Sequence, residues 1–398
     1  MKTKYTLSKH FILKLCEHIK SGSLSIIDHE GTYHFEQAST AIEKKAALSV
    51  NNQQFYHKVL LAGTNGAAES YILADWDVNN LVHLIELIIA NEKIFQKIDS
   101  GFSYLSNAIN KLLHFFKSNN KTNAKLNILK HYDLGNEFFQ TFLDPTMMYS
   151  SAVFNHANET LETASLNKLR IICEKLELNS NDHLLEIGTG WGGMAIFAAT
   201  EYGCRVTTTT ISDKQYAYVA NKIQELNLQD KITLLHRDYR DLTGEYDKLV
   251  SIEMIEAVGH QYFDTFFKKC HSLVKDNGYL FLQAIVINDQ AYEQAKNSID
   301  FIKKYIFPGG CLPSIHAISQ SISTHTRFQL TYLNDIGHHY SKTLDYWMQS
   351  FNNQLDRVRE LGFSEEFIRM WNFYFAYCIA GFNQHYISDI HALWRKRV

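Results

Sequence analysis

The sequence predicts an α/β protein: a doubly wound sheet with a helical cap, preceded by a small α+β domain. Three observations predict it. From about residue 165, strand-like apolar runs alternate with helix-like ones, as in a sheet built of parallel crossovers. A glycine-rich turn joins the first of these strands to its helix, in LLEIGTGWGGMAIFA (184–198). Residues 1–115 lack the alternation, and 398 residues exceed what one core usually covers.

The elements follow in order. FYHKVLLAG (55–63) reads as a strand, GTNGAAE (63–69) as a turn, and 78–94 as a helix by its periodicity. KSNNKTNAK (117–125) is polar and basic and places a linker at 116–130, leaving 131–398 as the second domain. There HLLEIG, CRVTTTTI, KITLLHRD and EYDKLVSIE read as strands, with helices between them. GYLFLQAIVI is nearly continuous in apolar residues, as a strand buried on both faces should be. FQLTYLNDI (328–336) and DIHALWRKR (389–397) supply the last strands. The aromatic-rich segment at about 340–386 interrupts the alternation and reads as a cap over the carboxyl edge of the sheet.

Composition narrows the function. The net charge of -3 provides no global basic field, which argues against a nucleic-acid partner. The six cysteines are scattered, without metal-site or redox spacing, so no metal and a reduced, cytoplasmic compartment are expected. MKTKYTLSKHFILKLCEH has no apolar core of signal-peptide length. The longest apolar stretch, LVHLIELIIA (81–90), is about half of what a bilayer requires. Attachment to a membrane surface stays open.

The glycine turn narrows the ligand. Gly188, Gly190, Gly192 and Gly193 fall where open parallel sheets bind ligands. A dinucleotide would need different glycine spacing and an acid after the second strand, which instead ends Thr209-Thr210-Ile211. A nucleoside with an amino-acid tail, S-adenosylmethionine (SAM), fits better, with Asp238 placed to accept from an adenine amine. A purely structural turn is the other reading.

HYDLGNEFFQTFLDPTMMYSSAVF (131–154), the glycine turn, VSIEMIEAVGHQYFDTFF, LQAIVI, IFPGGCLPS and GHHYSKTLDYW occur in this order. Together they resemble the cyclopropane-fatty-acyl-phospholipid synthases, relatives of the mycolic acid cyclopropane synthases. The resemblance spans roughly 125–395, and more loosely LLAGTNGAAESYILADW. It implies a Rossmann-like class I SAM-dependent methyltransferase domain, with SAM as donor. The acceptor would be the cis double bond of an unsaturated phospholipid acyl chain in a bilayer. It also implies peripheral attachment to the inner face of the membrane, a lipid-engaging N-terminal domain, and homodimerisation.

Carried over by motif, the resemblance places Tyr149, Ser150, Gly188, Gly190, Trp191, Thr210, Ile211, Gln215, Asp238 and Tyr239 around SAM. It implies a bicarbonate ion as base, held by Ser151, Glu256, Gln283, the backbone of Ile285, and Tyr340. Ser151 and Gln283 depart from the best-known pattern, cysteine and histidine, while keeping hydrogen-bonding capacity. Cys378 matches a cysteine sometimes treated as active; a thiol packed as a small hydrophobe is the plainer reading. Glu253 stands as a second acid or as a hydrogen-bonded structural carboxylate, and His260 as a helix-capping or packing residue. Phe351, Phe367, Trp371, Phe373, Tyr374 and Phe382 either line an acyl tunnel or pack the cap helices. Lys117, Lys121, Lys125 and Lys130 either meet anionic headgroups or form a solvated linker.

Three rivals stay open. One is a lipid methyltransferase giving a methyl-branched or methylene product. The others are a small-molecule N- or O-methyltransferase and a lipid-binding protein without catalysis.

Overall fold

In the computed structural model, which describes residues 2–36, 44–95 and 134–398, the chain begins with α1 (Lys2–Cys16), β1 (Ser23–Asp28), β2 (Gly31–Glu36) and β3 (Lys45–Val50). Then come α2 (Gln54–Ile72), β4 (Trp76–Val78), α3 (Leu81–Ala90), α4 (Asn136–Phe139) and α5 (Leu161–Lys175). The alternating region holds β5 (His183–Ile187), α6 (Gly193–Glu201), β6 (Arg205–Thr210), α7 (Asp213–Glu225), β7 (Ile232–His236) and β8 (Tyr246–Ile252). It continues with α8 (Phe263–Leu273), β9 (Val274–Ile287), α9 (Asp289–Lys296) and α10 (Ile315–His325). The chain ends with β10 (Phe328–Asp335), α11 (Gly337–Asn353), α12 (Leu355–Glu360), α13 (Glu365–Asn383) and β11 (Ile387–Lys396). The proposed linker, its four lysines, and His131, Tyr132 and Asp133 lie outside the described residues.

Packing divides the chain into two units. The first takes the described residues of Met1–Phe116 together with Ser298–Ile306 and Asn352–Tyr386. Its sheet runs β2-β1-β3-β4, with β1 antiparallel to β2 and parallel to β3. FYHKVLLAG, expected as a strand, is helical: Phe55, Tyr56 and Val59 are buried at the spacing of one helix face. The expected turn at 63–69 lies within the same helix, whose only break is a kink at Gly63, φ 56°.

The cap expected over 340–386 divides at Asn352. α13 buries Ile368, Trp371, Phe375, Ile379 and Phe382, an i, i+3, i+7, i+11, i+14 stripe. Arg369 ties it to the end of α2 and to β4, with Nε donating to the Tyr71 carbonyl at 2.5 Å and Nη2 to that of Trp76 at 2.9 Å. Asn383 donates to Glu86 on α3 at 2.7 Å. The aromatics of α13 therefore serve the core of the first unit, where Phe373 meets Tyr71 and Phe301.

The second unit holds the described residues of Lys117–Asn297, with Phe307–Phe351 and Ile387–Val398. Its seven strands run β10-β11-β9-β8-β5-β6-β7, with β11 antiparallel to both neighbours and the remaining pairs parallel. Successive residues of β5 face opposite ways: Leu184 joins the core on one side and Leu185 the core on the other. Thr207 to Thr210 of β6 are β-branched, as a buried strand favours. Glu186 pairs with Val250 and Ile187 with Thr209, so β5, β6 and β8 end at one edge. The glycine turn follows β5 at this edge, and Glu253 and Glu256 follow β8. Among the described residues, no helix is long and apolar enough to cross a membrane.

Candidate active site

The glycine turn leaves β5 at that edge. Gly188 has φ 99°, and a Cβ there would stand 3.1 Å from Met254 Cγ. Gly190 has φ 52°, and a Cβ there would meet nothing within 4 Å, so its backbone faces open space. Beside it, Thr189 Oγ1 is buried with no partner among the described residues. Bare backbone, room and an unsatisfied hydroxyl fit a ligand with a polar tail.

The other residues expected around the donor are held as follows. Trp191 Nε1 donates to Asn136 at 2.9 Å, and its ring lies 4.8 Å from that of Phe139. Tyr149 packs on Phe139 and Trp347. Thr210 Oγ1 donates to Gln215 Oε1 at 2.8 Å and accepts from the Ser212 amide, and Ile211 is half-buried between them. Asp238 is gripped by Arg240, with Nε at 2.9 Å and Nη2 at 2.6 Å. The expected adenine acceptor thus already serves a guanidinium, and only its remaining lone pairs are available. Burial pushes the Tyr239 phenol up, and its ring rests edge-on to Phe266.

Next to this turn is a buried carboxylate cluster. β8 ends at Ile252, and Glu253 follows in the left-handed region, φ 46°. Glu253 Oε1 accepts from the Ser151 backbone amide and from Gln283 Nε2, each at 2.8 Å. Its Oε2 accepts from the Tyr340 hydroxyl at 2.6 Å. Gln283 spends its second amide hydrogen on Asp389 Oδ2 at 2.8 Å, and its carbonyl faces His391 Nε2 at 3.2 Å. Glu256 stands apart from these donors: Oε1 accepts from the Ile285 amide at 2.5 Å, and Oε2 is buried without a partner among the described residues. The Glu256 carbonyl accepts from the Cys311 amide, fixing the IFPGGCLPS loop against it.

The structure therefore brings Ser151, Gln283 and Tyr340 together on Glu253, with Glu256 and Ile285 bonded to each other beside them. Ser151 contributes its backbone amide; its hydroxyl turns to the Ala152 carbonyl. Cys378 takes no part in this bonding. It lies on α13 in the other unit, and burial raises its thiol.

Electrostatics shape the cluster. Burial, then the charge of Glu253, raises the Glu256 carboxyl to about 8. Burial raises Asp389 well above its ordinary value, and the charge of Glu253 adds to it; burial raises Glu253 as well, against the pull of Tyr340, Lys168 and the Ser151 amide. Burial holds His391 neutral, with a pKa of about 3. The counter-charge is Lys168 of α5, fully buried, with Nζ donating to Ser150 Oγ at 2.6 Å. Burial lowers it to about 8 against the pull of Glu253, Asp389, Asp144 and Glu186. Glu186, inside β5, accepts from Thr208 at 2.6 Å and is raised by burial to about 8.

Lys168, Glu186, Asp389 and His391 escaped the sequence reading. Lys168 sits where an amphipathic helix normally shows a solvated charge. The one signal for Glu186 was a carboxylate inside an otherwise apolar strand.

Residues 119–392 match the family described as mycolic acid cyclopropane synthetase. The tuberculostearic acid methyltransferase UfaA1 of Mycobacterium tuberculosis is 32% identical over 333 residues, 82% of this chain and 77% of its own. The cyclopropane-fatty-acyl-phospholipid synthase of Escherichia coli is 33% identical over 364 residues, 88% of this chain and 87% of its own. The solved structure of the mycolic acid cyclopropane synthase CmaA1 with SAH and CTAB covers 68% of this chain and 98% of its own, at 29% identity and TM-score 0.64. With its class I methyltransferase sheet and its open glycine turn, the chain belongs to the mycolic acid cyclopropane synthetase family and is a SAM-dependent, lipid-modifying methyltransferase.

Proposed function

We propose that this protein is a cyclopropane-fatty-acyl-phospholipid synthase, adding a methylene group to the cis double bond of unsaturated phospholipid acyl chains. The observation that carries this reading is the carboxylate cluster on Tyr340 and Gln283, one strand from the glycine turn, with Met254 against Gly188. Such chemistry needs no strong nucleophile. It needs a shielded site that protects a carbocation from water, and a weak base within it. SAM supplies an electrophilic methyl on a positively charged sulfur. Ser150, Thr210, Gln215 and the turn at 188–191 orient it, while Asp238 and Tyr239 border the adenine.

Bicarbonate, which the resemblance implies as base, does not fit these residues as they stand. The Tyr340 hydroxyl, the Gln283 amide and the Ser151 amide already serve Glu253, and the Ile285 amide serves Glu256. A further anion would also be buried against Glu253, beside the Lys168 that already offsets it.

The first unit, on this reading, engages the phospholipid, and the protein works as a homodimer attached peripherally at the inner face of the membrane. One observation favours a second product: the similarity to UfaA1, named a tuberculostearic acid methyltransferase, over 82% of the chain. A methylene product shares the carbocation and resolves it by a 1,2-hydride shift and loss of a methyl proton; a saturated methyl branch would need a hydride donor as well. Vesicles of dioleoyl phospholipid with labelled SAM distinguish them. A cyclopropane gives the added mass of one CH2, resistance to ozone and a cyclopropyl proton signal. A methylene product stays ozone-sensitive, and absence of lipid labelling overturns both readings.

A further inference from the structure

We propose that Glu253 is the catalytic base, its carboxylate taking the place that an exogenous anion would otherwise fill. This deepens the proposed function and rests on it.

Four observations converge. The donors of the cage point at Glu253: the Ser151 amide, Gln283 Nε2 and the Tyr340 hydroxyl all bond its two oxygens, at 2.6 to 2.8 Å. A bound anion would be held in the same way. Second, the backbone at Glu253 is left-handed, φ 46°, a conformation that costs a non-glycine residue of order 1 kcal/mol. Third, burial raises all three acids of the cluster, but Glu253 alone has both oxygens held by donors, which favours its charged form, whereas Glu256 Oε2 and Asp389 Oδ1 have no partner among the described residues. Fourth, position is right. β5 and β8 are adjacent and parallel, Ser251 Oγ donates to the Ile187 carbonyl at 3.1 Å, and Met254 abuts Gly188, so Glu253 stands beside the donor turn.

The step balances without any further reagent. The π electrons of the alkene form a bond to the sulfonium methyl carbon as the carbon–sulfur bond breaks, leaving neutral S-adenosylhomocysteine and a carbocation on the neighbouring carbon. Glu253 takes one proton from the new methyl group. The electron pair of that C–H bond closes the ring onto the cationic carbon, and the carboxylate becomes a carboxylic acid. Its proton leaves to solvent before the next turnover. A proton next to a carbocation is so acidic that a carboxylate weakened by three donors suffices, provided it is in place.

Gln283 fits this role for a definite reason. Its amide gives two hydrogens and holds Glu253 and Asp389 at once, whereas a neutral histidine has one to give. Tyr340 and Gln283 are positioning residues in this scheme.

The test compares the full-length protein with Glu253→Gln and Glu253→Gly on dioleoyl phosphatidylethanolamine–phosphatidylglycerol vesicles, in buffer purged of carbonate. SAM affinity, read by titration calorimetry, verifies that each variant is folded; glycine suits the left-handed backbone. The wild type is expected to turn over at the same rate with and without added bicarbonate. Glu253→Gln should lose at least about a hundredfold in kcat, the scale of a general base, with SAM affinity unchanged. Glu253→Gly should be equally slow, and millimolar formate or bicarbonate should restore it at least about tenfold while leaving the wild type unmoved. A wild type that slows without carbonate overturns the proposal, as does a Glu253→Gln variant keeping more than about a tenth of the rate. A wild type that labels no phospholipid overturns the proposed function, and this base with it.

Discussion

Glu253 and Glu256 lie three residues apart, are both raised by burial, and differ in their partners. Glu253 collects three donors, whereas Glu256 has one amide on Oε1 and nothing on Oε2 among the described residues. At pH 7 a carboxyl raised to about 8 is mostly protonated. Glu256→Gln, which keeps the shape and the Ile285 contact, is expected to stay within about tenfold of wild-type turnover at pH 7, unlike Glu253→Gln. A hundredfold loss would mean that the two roles are reversed. Stability gives a second reading. The folded carboxyl titrates near 8 and an unfolded one near its ordinary value of about 4.3, so between these the folded state holds a proton that the unfolded state has released. Wild-type stability should thus fall as pH rises through this window, by up to about 1.4 kcal/mol per pH unit. The glutamine variant lacks this loss. Urea unfolding should show its advantage over wild type growing from pH 5 to pH 8, and a constant difference would remove the raised carboxyl. Lys168 acts in the opposite sense. Lys168→Met strips the cluster of its buried counter-charge and Ser150 of its donor. A loss of about 3–5 kcal/mol in urea unfolding, with weakened SAM binding, is expected.

The turn after β5 and the end of β8 form one structural joint. Gly188 admits Met254 because it has no Cβ, and its φ of 99° excludes other residues. Gly188→Ala should push Met254, and Glu253 beside it, away from the turn. Both SAM affinity and turnover should fall by at least about tenfold, since misplacement of about 1 Å costs as much; unchanged calorimetric binding would uncouple the two elements. The alternation of strands and the glycine turn were legible because periodicity and glycine spacing are local. FYHKVLLAG was not, because a short apolar run suits strand or helix equally, and the choice fell to the burial of Phe55, Tyr56 and Val59 on one helix face. The hub of the site was only half legible. In SIEMIEAV two glutamates offer themselves, and a left-handed residue at 253, which sequence does not announce, decides which one meets Tyr340. Lys168 was invisible for a related reason: its partners come from distant segments that only the fold assembles.

The division of the whole chain into two units was the least legible feature, because it is not sequential. Asn352–Tyr386 begins at the end of α11, yet folds with the N-terminal segment, while Ile387–Val398 returns to the large sheet. The buried stripe of α13 carries no label for the partner it faces. This arrangement makes the N-terminal segment a condition for the stability of 352–386. A protein comprising 117–398 alone would keep every strand of the seven-stranded sheet but strand Trp371, Phe375, Ile379 and Phe382 of α13 without α2 and α3. Each large apolar side chain returned to water costs about 1.5–3 kcal/mol, so four are comparable with the net stability of a domain. Arg369 and Asn383 would lose Tyr71, Trp76 and Glu86 as well. The truncated protein is expected to bind a hydrophobic dye strongly, to self-associate, and to melt well below the full chain. Replacing Trp371, Phe375 and Ile379 with polar residues in it should restore solubility, because the exposed stripe, not the sheet, is the defect. A truncated protein that stays monomeric and melts with the full chain would show that 352–386 does not depend on the N-terminal segment.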